Sequence, residues 1–184
     1  MNVIRQSTPL EVDDSLESQR RAVQRLLDQA AIRDLAAMYA IVRDDHDIDA
    51  LMECFAPDGV FMHDGEPIRG RKALREYYLG NMRRNAFSHH IPHSHVIQLI
   101  DEHNATGVVT GHGEFADPTT LSVCAYRYED EYVKIDGRWM FAQRGHAFMY
   151  YVPVEELQTL GRDTLRIRVP GAEPRQAEWL PRAV

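Results

Sequence analysis

Up to Arg84 the apolar residues recur mostly at helical spacing, and beyond it they alternate; this change of period, from 3.6 to 2, divides the chain into a helical part and a sheet part. Leu27, Ala31, Leu35, Met38 and Val42 follow one another at spacings of four, four, three and four. That pattern predicts one apolar stripe on a long helix starting between Ser15 and Gln19 and ending near Arg43. Tyr39 falls one turn after Leu35, which carries its ring beside the stripe; its hydroxyl must find a partner or do chemistry under the helix. A short second helix from Ile48 to Phe55 is stopped by Ala56-Pro57-Asp58-Gly59. Val60-Phe61-Met62 and Pro67-Ile68 read as short strands joined by His63-Asp64-Gly65. Gly70 to Arg84 reads as a third helix with Leu74, Tyr77, Tyr78 and Met82 on one side.

Four longer strands follow, over Ile91 to Asp101, Ala105 to Phe115, Leu121 to Ile135 and Trp139 to Tyr151. Their turns fall at Glu102-His103-Asn104, Asp117-Pro118 and Asp136-Gly137, and connections this short predict antiparallel neighbours. Helices first and strands afterwards is an α+β layout: a curved antiparallel sheet wrapped around the long N-terminal helix, with two further helices. Residues 1–17 are polar and aperiodic and read as a flexible N-terminal arm, residues 18–153 as the domain, and 154–184 as a C-terminal extension. The extension has three prolines after Pro153 and is expected to pack on the sheet or on a second subunit.

A chain of 184 residues suits a single domain with a real core. The net charge of -7 argues against nucleic acid or an anionic membrane as the main partner, since both need a basic footprint. No apolar run approaches bilayer length, and MNVIRQSTPLEVDDS lacks a signal-peptide core, so the expected location is cytoplasmic. Cys54 and Cys124 sit in helical and strand patterns as small core residues rather than as a disulfide.

The candidate chemistry begins at the end of the long helix. Asp44 stands where the helix dipole disfavours an acid, so it is either solvated or placed for a purpose, whereas Asp47 reads as the N-cap of the next helix. On the second long strand Val108, Thr110, His112 and Glu114 share one face, beside glycines at 111 and 113 that mark a bend or a close approach. The third contributes Cys124, Tyr126, Tyr128 and Tyr132 to one face, and the fourth Met140, Ala142, Arg144, His146, Phe148 and Tyr150. Of nine histidines, four lie in FSHHIPHSHVI, as His89, His90, His93 and His95. Two readings compete. His93 and His95 have the spacing of two metal ligands on one strand face; alternatively one histidine is a base oriented by a carboxylate. The stretch from Val96 to Ile100 supplies no carboxylate to complete a cupin-like metal motif.

The ordered set of Tyr39, Asp44 and Asp47, then LMECFAPDGVF, the helix start Gly70-Arg71-Lys72-Ala73-Leu74, and YEDEYVKIDGRWMFAQR resembles the SnoaL-like branch of the nuclear transport factor 2-like superfamily. That branch includes polyketide cyclases, scytalone dehydratase, bile-acid 7-alpha-dehydratase and hexachlorocyclohexane dehydrochlorinase. The resemblance covers about residues 19–153. It implies a cone around a deep apolar pocket, with Tyr39 and Asp44 from the first helix facing a sheet histidine. His90-Ile91-Pro92-His93-Ser94 matches the family's histidine-bearing strand start, which assigns His90 as the base and His93 as its reserve; Ser94 stands where the family often has asparagine. The implied reaction is cofactor-independent proton abstraction next to a carbonyl, as in a dehydratase, isomerase or cyclase. Asp44 would orient the imidazole, Tyr39 would hydrogen-bond the carbonyl, and His112, or less readily Glu114, would return the proton. His93, Glu114, Tyr126, Arg144 and Phe148 are the expected substrate-binding residues. No metal is expected, and the implied partner is a hydrophobic or aromatic small molecule in a homodimer or homotrimer. The alternatives are a non-catalytic binding or assembly module and a His-ligated metal enzyme.

Overall fold

The computed structural model describes residues 11–179. Helix α1 spans Leu16–Asp44, and its N-cap Ser15 accepts the backbone N–H of Ser18. Its buried face keeps Leu35 and Val42 of the predicted stripe and replaces the rest. Ile32, Ala36, Tyr39 and Val42 are buried with Asp28 and Arg43, while Leu27 and Met38 are 58% and 50% exposed and Ala31 is also outside. Apolar residues occur all round this helix, so its period alone does not choose a face. Asp28 helps decide. Its carboxylate meets Lys134 Nζ at 2.5 Å and accepts the indole N–H of Trp139 at 2.9 Å, which pins one rotation of the helix over the sheet.

Helix α2, Ile48–Glu53, starts at Asp47, whose side chain accepts the N–H of Ala50 as an N-cap should. Strand β1 then runs from Phe55 to His63 and contains the four residues predicted as a stop. They form an irregularity within the strand: Phe55 pairs with Phe141 and Val60 with Gln143. A side chain at Gly59 would come within 3.0 Å of the Ala56 and Phe141 carbonyl oxygens, so the bulge requires glycine there. β2 is Glu66–Arg69, joined to β1 through Asp64 and Gly65 at φ 50 and 84, and α3 is Gly70–Arg84.

The remaining strands are β3 (Phe87–Leu99), β4 (Asn104–Ala116), β5 (Leu121–Ile135) and β6 (Arg138–Pro153). The sheet order is β2-β1-β6-β5-β4-β3, antiparallel throughout except for the parallel β1–β6 pair. This is the expected α+β cone, a curved open sheet closed over by α1, which packs chiefly on β3. Phe55, Phe141, Tyr132, Leu51, Leu74 and Ile32 are fully buried between the layers.

Three further bulges reset which side chains face the cone. On β3, Pro92 pairs with Gly111 and His95 with Val109, so an extra residue intervenes and His95 returns to the inner face. On β6 the extra residues are Ala142 and Met149. Trp139 and Phe141 therefore face inward before the first bulge, Arg144, His146 and Phe148 after it, and Tyr151 after the second. The single face predicted for β6 is broken accordingly, with Met140 and Tyr150 on the other side.

Beyond β6 a short 3-10 helix covers Val154–Thr159, and the buried Ile167 bridges both Tyr151 and Arg175. The N–H groups of Glu178 and Trp179 bond the Phe148 carbonyl, so the extension folds back on its own sheet. Residues 1–10 of the predicted arm and 180–184 of the extension lie outside the described residues. Among the described residues no helix is long and apolar enough to cross a membrane.

Candidate active site

The last residue of α1, Asp44, is set against the inner face of β3, where strand alternation turns Ser88 and His90 inward and His89 outward. Asp44 Oδ1 contacts His90 Nδ1 at 2.6 Å and accepts from Ser88 Oγ at 3.2 Å; Oδ2 accepts the backbone N–H of His90 at 2.7 Å. Three donors thus offset the unfavourable helix dipole. Burial alone would raise the Asp44 carboxyl, but the bonds from His90 and Ser88 outweigh it and hold the group below the usual carboxylate range. Burial pushes the His90 imidazole below its ordinary value, with Asp44 opposing and Arg43 reinforcing. The resting pair is therefore a carboxylate and a neutral imidazole. Nδ1–H donates to Asp44, and Nε2, which has no protein partner among the described residues, keeps its lone pair.

His90 forms part of the wall of a cavity of about 250 Å³. Phe115 meets its ring edge-on at 5.1 Å, and Tyr39, Tyr78, Tyr126, Tyr128 and Tyr151 make much of the lining. The Tyr39 and Tyr78 hydroxyls are 3.0 Å apart. Tyr126 can lie flat across β4 because position 111 is glycine: a Cβ there would sit 2.5 Å from the Tyr126 ring. On the wall built by β1, β6 and α3, His146 stacks on Phe61 at 5.3 Å and on His63 at 5.5 Å. His63 Nδ1 lies 3.2 Å from the Tyr77 hydroxyl, and His146 Nδ1 donates to the Met62 carbonyl at 3.2 Å. Burial pushes His146 down to about 4, so it too is neutral.

Of the residues expected at the site, Tyr39, His90, Tyr126 and Phe148 line this cavity, with Asp44 bound behind His90. His93, His112 and Glu114 do not. They stand on the outer face of the sheet, where His93 Nε2 and His112 Nδ1 are 2.7 Å apart and Glu114 faces His89 at 3.8 Å. The reason is parity: Gly111, Gly113 and Phe115 take the inner positions of β4, which sends His112 and Glu114 out. Arg144 points inward but lies behind the aromatic wall. It is fork-bonded to Asp130 at 2.7 and 2.8 Å and set against the rings of Tyr39, Tyr128 and Phe141 at 4.0 to 4.3 Å. A small gap beside it touches His90 and Tyr39, not the main cavity.

His93 and His95 do not share a face as two metal ligands would. The β3 bulge leaves His93 outside and sends His95 in to the Tyr132 hydroxyl, at 3.0 Å. Among the described residues no three His, Cys, Asp or Glu side chains converge as a metal-ligating set. Sequence reading missed Arg43, His63 and Tyr78 as lining residues and left His146 without a role. The strand parity that it shares with Phe148 was the available signal for His146. Arg43 had none, because its burial depends on the rotation of α1.

The family described as SnoaL-like domain matches residues 24–145. Among solved structures, the chain is similar to a candidate scytalone dehydratase from Novosphingobium aromaticivorans, with a TM-score of 0.71 at 17% identity over 89% of this chain and 99% of that one. It is also similar to a hexachlorocyclohexane dehydrochlorinase, LinA, with a TM-score of 0.68 at 17% identity over 82% and 99% of the two chains. A Mycobacterium tuberculosis protein of unknown function has 28% identity and a TM-score of 0.63 over 68% of this chain and 78% of its own.

Proposed function

The chain belongs to the SnoaL-like domain family, and from that premise we propose that it is a cofactor-independent lyase or isomerase in which His90 removes a carbon-bound proton next to a carbonyl. The observation that carries this reading is the Asp44–His90 pair at the cavity wall, tied at Nδ1 and open at Nε2. Nε2 takes the proton, and the imidazolium that results is stabilised by the carboxylate already in contact with it. Tyr39, held by Tyr78, donates to the substrate carbonyl as negative charge grows on its oxygen. The second proton transfer, to a leaving group or to the product carbon, falls to the Tyr77 hydroxyl beside His63 rather than to His112 or Glu114, and the proton taken by His90 returns to Tyr77 through solvent. The aromatic lining and the structural likeness to a dehydrochlorinase and a candidate dehydratase support an apolar or aromatic substrate and an elimination, with double-bond migration and ring closure using the same groups. A homodimer or homotrimer belongs to the same proposal.

The test is a screen of β-hydroxyketones and enones, read by solvent deuterium entering the α-position in NMR, with wild type, Asp44→Asn and His90→Ala. Turnover that both variants lose supports the assignment. Turnover that neither loses refutes it, and absence of any exchange across the screen favours a binding module.

A further inference from the structure

Arg43, Arg127 and Arg144 are each more than nine-tenths buried. Arg144 is paired with Asp130, and Arg127 reaches Glu129 at 3.5 Å. Arg43 differs: among the described residues its side chain has no carboxylate within ion-pair distance and no hydrogen bond; its Nε is buried without an acceptor, as is that of Arg127, but Arg127 has Glu129 to answer its charge. Its close neighbour is the Tyr78 ring, 5.0 Å from the guanidinium carbon. The nearest acid in sequence, Asp44, is committed to His90 and Ser88. A guanidinium cannot shed its proton to escape burial, and an unpaired buried cation is strongly destabilising. Such a cost persists where function uses the charge.

Arg43 lines the same cavity as His90. The other charged groups there are engaged: Arg175 with Asp64 and Glu178, Arg84 with Asn81, and Asp117 with the N–H groups of Thr119 and Thr120. We propose that Arg43 is an anion anchor, and that the cavity takes a small aromatic or apolar acid whose carboxylate pairs with it. The cavity volume, near the lower end for ligand sites, suits a molecule of one or two rings. Naming this substrate class rests on the reading of the cavity as the reaction site, whereas the anchor itself is tested by binding alone. A carboxylate held there would fix the substrate at one end and leave a carbon elsewhere in the molecule for Nε2 of His90.

The experiment is calorimetric titration of naphthoate and of the neutral naphthamide into wild type, Arg43→Gln and Arg43→Lys. Wild type is expected to bind naphthoate at least about tenfold more tightly than the amide. Arg43→Gln should lose that preference while binding the amide as before, and Arg43→Lys should keep part of it. Equal affinity in wild type, no binding of naphthoate, or a preference that survives Arg43→Gln overturns the anchor. Thermal melting of ligand-free Arg43→Met separates anchor from structural support: an unchanged or higher Tm is expected, and a fall of several degrees overturns the proposal. Because neither probe is turned over, a chain without lyase activity would still show the preference. Lyase activity with no preference would sink the anchor alone.

Discussion

On the inner face of the β3–β4 pair, His90 is buried and bound to Asp44; on the outer face, His93 and His112 lie 2.7 Å apart in solvent. The residue type is the same, and three positions along one strand separate His90 from His93. Inside, a carboxylate holds one nitrogen and a cavity receives the other. Outside, neither histidine has an acid to orient it among the described residues, and water competes for both nitrogens. Chemistry here depends on which face of the sheet a side chain is given, and clustering of histidines along the sequence carries no such information.

The largest effect expected from breaking this contrast is on turnover of a substrate found in the exchange screen. His90→Gln should lower kcat by about 10²- to 10⁴-fold, and His112→Gln should leave it within about twofold. Comparable losses from the two would place the base on the wrong face. Next in size is the buried pair behind the wall. Arg144→Met strands Asp130 without its cation and should cost about 3–5 kcal/mol in urea unfolding, whereas a loss under about 1 kcal/mol would mean that Asp130 finds another partner.

Gly111→Ala puts a methyl group into the Tyr126 ring and the Ile91 carbonyl, at 2.5 and 2.6 Å. A loss of about 1–3 kcal/mol is expected, with Tyr126 displaced into the cavity; a neutral outcome would show that the ring is free to move. The pH dependence of stability sharpens the comparison further. His146 is neutral in the fold down to about 4 but takes up a proton near 6.5 when unfolded, so below 6.5 the unfolded chain binds more protons. Its contribution is complete above pH 6.5 and is lost as pH falls toward 4, at up to about 1.4 kcal/mol per pH unit. His146→Gln should flatten the slope of Tm against pH in that window, and an unaltered slope would remove His146 as its cause. Smallest of all, His93→Gln should change stability by less than about 0.5 kcal/mol, because both members of the outer pair are exposed.

What the sequence by itself determined is the set of features written in local spacing. The helical period up to Arg84, the N-cap at Asp47, the Asp64-Gly65 and Asp136-Gly137 turns and the bounds of β5 are set by neighbours a few residues apart, and such features are legible in the chain itself. The inward tyrosines of β5 follow from the same alternation, and the resemblance to a family brings Tyr39, Asp44 and His90 together. Only the tertiary structure decided the rest. Leu27 and Met38 lost the buried face of α1 to Ile32 and Ala36 because Asp28 meets Lys134 and Trp139, more than a hundred positions away. His95 turned inward and His93 outward because β3 bulges against β4, and Met140 parted from Arg144 because β6 bulges against β5. A bulge is a mismatch between two strands, and a helix rotation is settled by what lies beneath it. Neither is a property of one segment, so neither can be read from that segment alone.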